Sequence, residues 1–165
     1  MQKTMSHRPI IIGVMGGTDV SDRDCRAAYE LGSLIAANGW VLLNGGRNCG
    51  VMDASAQGAF QQGGMTVGIL PDSDPNNISD FIQIPIITKM GSARNAINVL
   101  SSQVVVACKG GAGTISEIAL ALKHGKPVIL MDFSVAPLFK DYRQKGALIS
   151  ARTATEVIAH IKRVL

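Results

Sequence analysis

The chain has 165 residues, enough for one domain with its own core and no need of disulfides or a structural metal. With 47% hydrophobic and 17% charged residues it can offset its ordering entropy, which excludes a disordered chain. The net charge of +4 suits an anionic ligand, but the basic residues are scattered and there are only one Trp, two Tyr and four Phe for base stacking, which argues against nucleic acid as a partner.

No stretch approaches the roughly 18 consecutive apolar residues of a membrane span, so no membrane partner is expected. Residues 1–8 are polar, lack a signal-peptide core and read as a flexible N-terminus. Cys25, Cys49 and Cys108 are an odd number at wide spacing, with neither metal-ligand nor disulfide pattern. A reducing compartment fits them, and the expectation is a soluble cytoplasmic protein. Glycine is over-represented, at 18 of 165 residues, and it clusters in pairs between apolar runs, where backbone must come close to something.

In chain order, residues 9–15 (PIIIGVM) are apolar on both faces, as in a central parallel strand, and end at Gly16-Gly17. The spacing predicts a helix over 21–38, opened by Ser21-x-x-Asp24 and closed by Asn38-Gly39. Residues 40–43 form a second strand, 51–62 an Ala-rich helix and 65–70 a third strand. Residues 72–80 are a polar turn cluster, and 81–87 a fourth strand in which Pro85 argues for an edge position or a bulge. A helix follows over 91–100, a fifth strand over 104–108, a glycine loop over 110–113 and a helix over 114–124. Residues 128–131 are a sixth strand, 132–146 irregular with a short helix, and 147–149 a short last strand. The final helix covers 153–165, with Thr153-x-x-Glu156 as a capping box and Val157, Ile158, Ile161 and Val164 as its buried stripe.

Unbroken strand–helix alternation predicts a single α/β domain over 1–165, doubly wound, with a mostly parallel sheet of about six or seven strands and helices on both faces. Ligands of such sheets bind at the carboxyl ends of the strands, where the strand order reverses. The glycine loops after the first, second and fifth strands fall at those ends.

The segment Lys109-Gly-Gly-Ala-Gly-Thr-Ile-Ser-Glu117 follows a strand and opens a helix. Helix-start N–H groups lack intrahelical partners, and the dipole favours an anion there. Gly110, Gly111 and Gly113 clear the approach, and Thr114 adds a hydroxyl donor. A second explanation stands beside this one: Gly110-Gly111 as a tight turn and Thr114-x-x-Glu117 as a capping box for its own helix. The segment is neither a Walker loop nor a dinucleotide fingerprint. Residues 44–52 repeat the strand–glycine loop–helix shape with Gly45, Gly46 and Arg47. Arg94 falls in the first turn of a helix, against the dipole. That hints at an anionic partner, although an exposed surface arginine explains it more simply. His7, His124 and His160 carry no role, and Cys108 reads as core. No metal ligands are assigned.

With its Gly-Gly-Ala-Gly-Thr-x-x-Glu segment at 110–117, the Arg94 helix start and Gly45-Gly46…Gly50-Val51-Met52, the chain resembles the cytokinin-activating phosphoribohydrolases, once labelled lysine decarboxylases. The resemblance runs from about residue 10 to 128. It implies a Rossmann-like fold, dimers or larger oligomers, and cleavage of the N-glycosidic bond of a nucleoside 5′-monophosphate. The glycine loop would hold the phosphate, and Arg94 and Glu117 would serve catalysis by stabilising an oxocarbenium-like state or assisting water.

Two positions depart from the enzyme pattern. Asn95 stands where the enzymes have a basic residue, and Lys109 where they have proline. The segments 13–17 (GVMGG) and 68–71 (GILP), with Ala93-Arg94-Asn95 and the short chain, resemble a sister branch that includes the molybdenum cofactor carrier proteins. That likeness implies binding and storage of molybdopterin, a pterin with a terminal phosphate, in the crevice at the strand ends. The implied binding residues are Gly16, Gly17, Gly45, Gly46, Arg47, Arg94, Asn95, Gly110, Gly111, Ala112, Gly113 and Thr114. It also implies a homodimer or homotetramer and a molybdoenzyme as acceptor. The alternative is the phosphoribohydrolase, with a nucleotide as ligand and Arg94 and Glu117 as its catalytic pair.

Overall fold

Short runs of β-branched and aliphatic residues form the strands, and the five inner ones are buried along nearly their whole length and so lack polar alternation. The computed structural model describes residues 8–135 and 137–165. His7 and all of the expected flexible N-terminus but Arg8 lie outside the described residues.

The sheet has seven strands, all parallel, in the order β4-β3-β2-β1-β5-β6-β7. They are β1 (Ile11–Met15), β2 (Val41–Asn44), β3 (Thr66–Leu70), β4 (Ile84–Ile87), β5 (Val104–Ala107), β6 (Val128–Met131) and β7 (Leu148–Ala151). The helices are α1 (Asp22–Ala37), α2 (Gly50–Gln61), α3 (Asn95–Leu100), α4 (Ala112–Lys123), α5 (Lys140–Gln144) and α6 (Ala154–Val164). One apolar layer joins Ile12 and Val14 of β1 to Leu31 of α1, Ala56 of α2 and Ile161 of α6. The other joins Met15, Leu43 and Val105 to Val99 of α3 and Ile118 and Leu122 of α4. The strand order reverses between β1 and β5, which places a ligand crevice at the carboxyl ends of these strands.

Local signals hold where the chain caps itself. Ser21 and Asp24 form a reciprocal capping box on α1. Thr153 accepts from the Glu156 N–H, while the Glu156 carboxylate accepts from Arg152 N–H rather than closing the box on Thr153. β4 is the sheet edge that Pro85 argued for, with Ile84, Ile86 and Ile87 all exposed. Four elements differ from the sequence reading. The strand expected over 81–87 begins only at Ile84, where its pairing with β3 starts. The helix expected over 91–100 splits into a 3-10 turn, Gly91–Arg94, and α3, with the buried Arg94 side chain donating to Ile69 O at the junction. α4 starts at Ala112, since Gly111 caps it and the Ile115 N–H closes onto Gly111 O at 3.1 Å. β7 runs on to Ala151, because it pairs with β6 as far as Met131.

Candidate functional site

Three loops meet at the switch point. Gly17 N–H, after β1, donates to Lys109 O, after β5, at 2.9 Å. Val51 N–H at the start of α2 donates to Gly17 O at 3.0 Å. Asn44, fully buried, ties the second loop together: its Oδ1 accepts from Gly46 N–H at 2.8 Å and its Nδ2 donates to Met52 O at 2.8 Å. Between the loops lies a crevice of about 510 Å³.

The structure brings Gly16, Gly17, Gly45, Arg47, Arg94, Asn95, Gly110, Gly111, Gly113, Thr114 and Glu117 onto its wall. Gly46 and Ala112 lie off it. Gly46, at φ +74, turns against Gly68 and Leu70, and Ala112 faces outward from α4. Sequence reasoning missed Thr18, Asp19, Met52 and the side chain of Lys109. The first two follow a glycine pair at the switch point, which was the available signal; Met52 closes the loop motif of residues 45–52, which marked the loop but not this side chain.

The start of α4 carries no side-chain cap. Its first N–H groups therefore face outward without intrahelical partners, with the helix dipole behind them. A Cβ added at Gly111 or Gly113 would meet nothing, so open space stands over this turn. Thr114 is buried beside it. Asn95 Nδ2 donates to Ser116 Oγ, and Ser116 Oγ in turn to Gly113 O, bracing the turn from α3.

Arg94 is only 9% exposed, which overturns its reading as a surface arginine. Its Nη1 donates to Ile69 O at the end of β3, and its Nε has no partner among the described residues. The guanidinium lies over Gly45, where any Cβ would run into it and into Met52 Sδ. Glu117 is 7% exposed and accepts from Asn98 Nδ2 at 2.9 Å. It does not cap its own helix, because α4 begins at Ala112 and leaves Glu117 on the second turn, facing α3. Burial pushes the Glu117 carboxyl up from its ordinary range, while the Asn98 hydrogen bond and the Arg94 charge pull it back in part. Burial likewise lowers the Arg94 pKa, and Glu117 opposes that shift. A buried, opposed carboxyl and guanidinium in a cleft have the physical character of a functional site.

Arg47 and Lys109 stand at the rim. Each faces an aspartate at 3.9 Å, Asp72 and Asp24 respectively. Cys108 is core, its thiol pushed up to about 12 by burial. Among the described residues no cluster of His, Cys, Asp and Glu could hold a metal.

An all-parallel doubly wound sheet with its crevice at the reversal of strand order defines a Rossmann-like protein. Within that class, the chain belongs to the SLOG cluster4 family, whose model matches residues 9–158. It is similar to the molybdenum cofactor binding protein from Rippkaea orientalis, with a TM-score of 0.90 and 48% identity over 96% of this chain and 99% of that one. It is also similar to the molybdenum cofactor carrier protein from Chlamydomonas reinhardtii, with a TM-score of 0.88 and 44% identity over 95% and 98% of the two chains. A cytokinin riboside 5′-monophosphate phosphoribohydrolase from Mycobacterium tuberculosis is 31% identical over 120 residues, 64% of this chain and 60% of that protein. The chain thus spans well under two thirds of that enzyme's length.

Proposed function

We propose that this protein binds and carries the molybdenum cofactor, as molybdopterin with its terminal phosphate, in the crevice between β1, β2 and β5. The observation that carries this reading is likeness over almost the whole chain to proteins described as binding or carrying that cofactor. The crevice suits such a cargo. The uncapped start of α4, with open space over Gly111 and Gly113, offers a seat for a phosphate. The Nε of buried Arg94, partnerless among the described residues, is a donor left for a ligand. Gly16, Gly17, Gly45, Arg47, Asn95, Gly110 and Thr114 would complete the walls.

One observation favours a second reading, a nucleoside 5′-monophosphate phosphoribohydrolase. Arg94 and Glu117 are both buried on one crevice wall, and burial raises the Glu117 carboxyl above its ordinary value. Such a carboxyl can serve as an acid or base. Asn95, however, supplies no charge next to Arg94, and losing one charge-assisted contact from a transition state costs on the order of 10²–10³ in rate. The expected outcome is molybdopterin binding with negligible release of free base from nucleoside 5′-monophosphates, measured on wild type and Glu117→Gln. Brisk turnover that vanishes in the variant would establish the enzyme instead.

We further place the protein in the cytoplasm as a homodimer or homotetramer that hands its cargo to a molybdoenzyme. No helix among the described residues is long and apolar enough to cross a membrane. Phe60 at the end of α2, Leu100 at the end of α3 and the isoleucines of β4 are exposed apolar groups available for subunit contact. Light scattering at micromolar concentration should give a dimer or tetramer mass; a monomer would contradict the assembly.

A further inference from the structure

The cations around the crevice are not equally available. Arg94 is buried, donates to Ile69 O and is balanced by the charge of Glu117. Arg47 stands 3.9 Å from Asp72, whose charge acts on Arg94 as well, and its side chain is only 34% exposed. Lys109 differs in three respects. Its side chain is 63% exposed against 34% for Arg47, and its ammonium, 3.9 Å from Asp24, makes no hydrogen bond there. Asp24 does not depend on it, because the Ser21 hydroxyl and N–H donate to the same Oδ2 at 2.7 and 3.2 Å. The Lys109 main chain is pinned by the Gly17 N–H, so the side chain can swing while the loop stays in place.

Its position decides what such a swing could meet. Lys109 lines the large crevice and also a second, smaller one of about 130 Å³, in which Asp24 lies. It directly precedes the glycines that open α4. A phosphate seated on that first turn falls within the reach of its four-carbon stem. A phosphomonoester carries about −1.5 to −2 charges at neutral pH, a diester only one. The helix start can offset part of one charge, and both arginines are more enclosed than Lys109. The second charge of a monoester needs a further cation.

We propose that Lys109 is the specificity-determining cation of the crevice: its ammonium leaves Asp24 to pair with a phosphomonoester dianion at the start of α4, selecting monoesters over diesters. This rests on the carrier reading for the pterin end of the ligand, but the role of Lys109 at the phosphate end is tested separately. The direct assay is calorimetric titration with two probe pairs, 6-hydroxymethylpterin phosphate and its phosphomethyl diester, and AMP and its phosphomethyl diester. Wild type should prefer each monoester it binds by about tenfold, the worth of one charge-assisted contact. Lys109→Met should shrink that preference to less than threefold, and Lys109→Arg should restore most of it. Raising the salt concentration should weaken monoester binding more in wild type than in Lys109→Met. A tenfold preference that survives in Lys109→Met overturns the proposal, as does a wild type without any preference. If wild type binds AMP but not the pterin, and the preference for AMP is lost in Lys109→Met, the role of Lys109 stands and the carrier reading falls. A wild type that binds neither pair overturns both.

Discussion

The loops after β2 and β5 read alike in sequence, each closing a buried strand, passing through paired glycines and opening a helix. Their glycines serve opposite ends. In the loop after β2, Gly45 lies under the Arg94 guanidinium, and Gly50, at φ +57, is pressed against the carbonyls of Gly17 and Thr18. These positions are glycine because protein fills the space. In the loop after β5, Gly110 is packed against Thr114 and Gly17, but Gly111 and Gly113 face nothing. Those two keep space clear. One motif therefore builds the wall of the crevice and the other leaves room at its floor, a difference that only the packing reveals.

The largest expected effect is on binding through the open loop. Gly111→Leu should weaken a phosphorylated ligand at least about a hundredfold by filling the seat over α4. The backbone there is extended, at φ −97, so leucine fits without strain. The loss of a favoured cap residue should cost no more than about 1 kcal/mol. Titration and thermal melts on the same protein check both halves; intact binding, or a seated phosphate at another helix start, would contradict the assignment.

Gly50→Ala should do the reverse. A methyl group there meets backbone carbonyls that cannot retreat, and the positive φ adds strain. The expected loss is about 1–3 kcal/mol of stability, or roughly 2–4 °C in melting temperature per kcal/mol for a domain of this size. A melting curve unchanged from wild type would show that the loop after β2 is as open as its counterpart.

The smallest effect is electrostatic. The folded-state pKa of Glu117 lies above the ordinary 4.5, chiefly through burial. The folded protein therefore holds that proton more tightly than the unfolded chain does. Stability from this group is fully present below the unfolded pKa and is lost as the pH rises through the folded one. Glu117→Gln should remove that part of the pH dependence, read as the difference between wild-type and variant melting temperatures from about pH 4 upward. A difference that does not vary with pH would mean that Glu117 titrates normally.

Much of the fold was legible because it rests on local signals. The apolar runs, the Ser21–Asp24 box and Pro85 at the edge each carry their own physical cause. The sequence also placed the loops that form the crevice. It could not tell that Arg94 is buried, because a cation at a helix start looks the same whether it faces solvent or donates inward to a strand carbonyl. Nor could it separate Glu117 as a cap from Glu117 as the partner of Asn98, since the choice depends on whether α4 starts at Thr114 or two residues earlier. Asn44 and Met52 were legible only as parts of a loop motif, because their roles come from contacts between loops rather than from spacing.

The central claim is that the crevice holds a pterin phosphate without consuming it. The most direct measurement is mass spectrometry of the small molecules released from native protein purified from molybdopterin-producing cells, with fluorescence of the oxidised extract. The account predicts a pterin bearing a terminal phosphate, approaching one per chain and strongly depleted in Gly111→Leu. An extract without pterin, or one holding ribose 5-phosphate and free base, would contradict it.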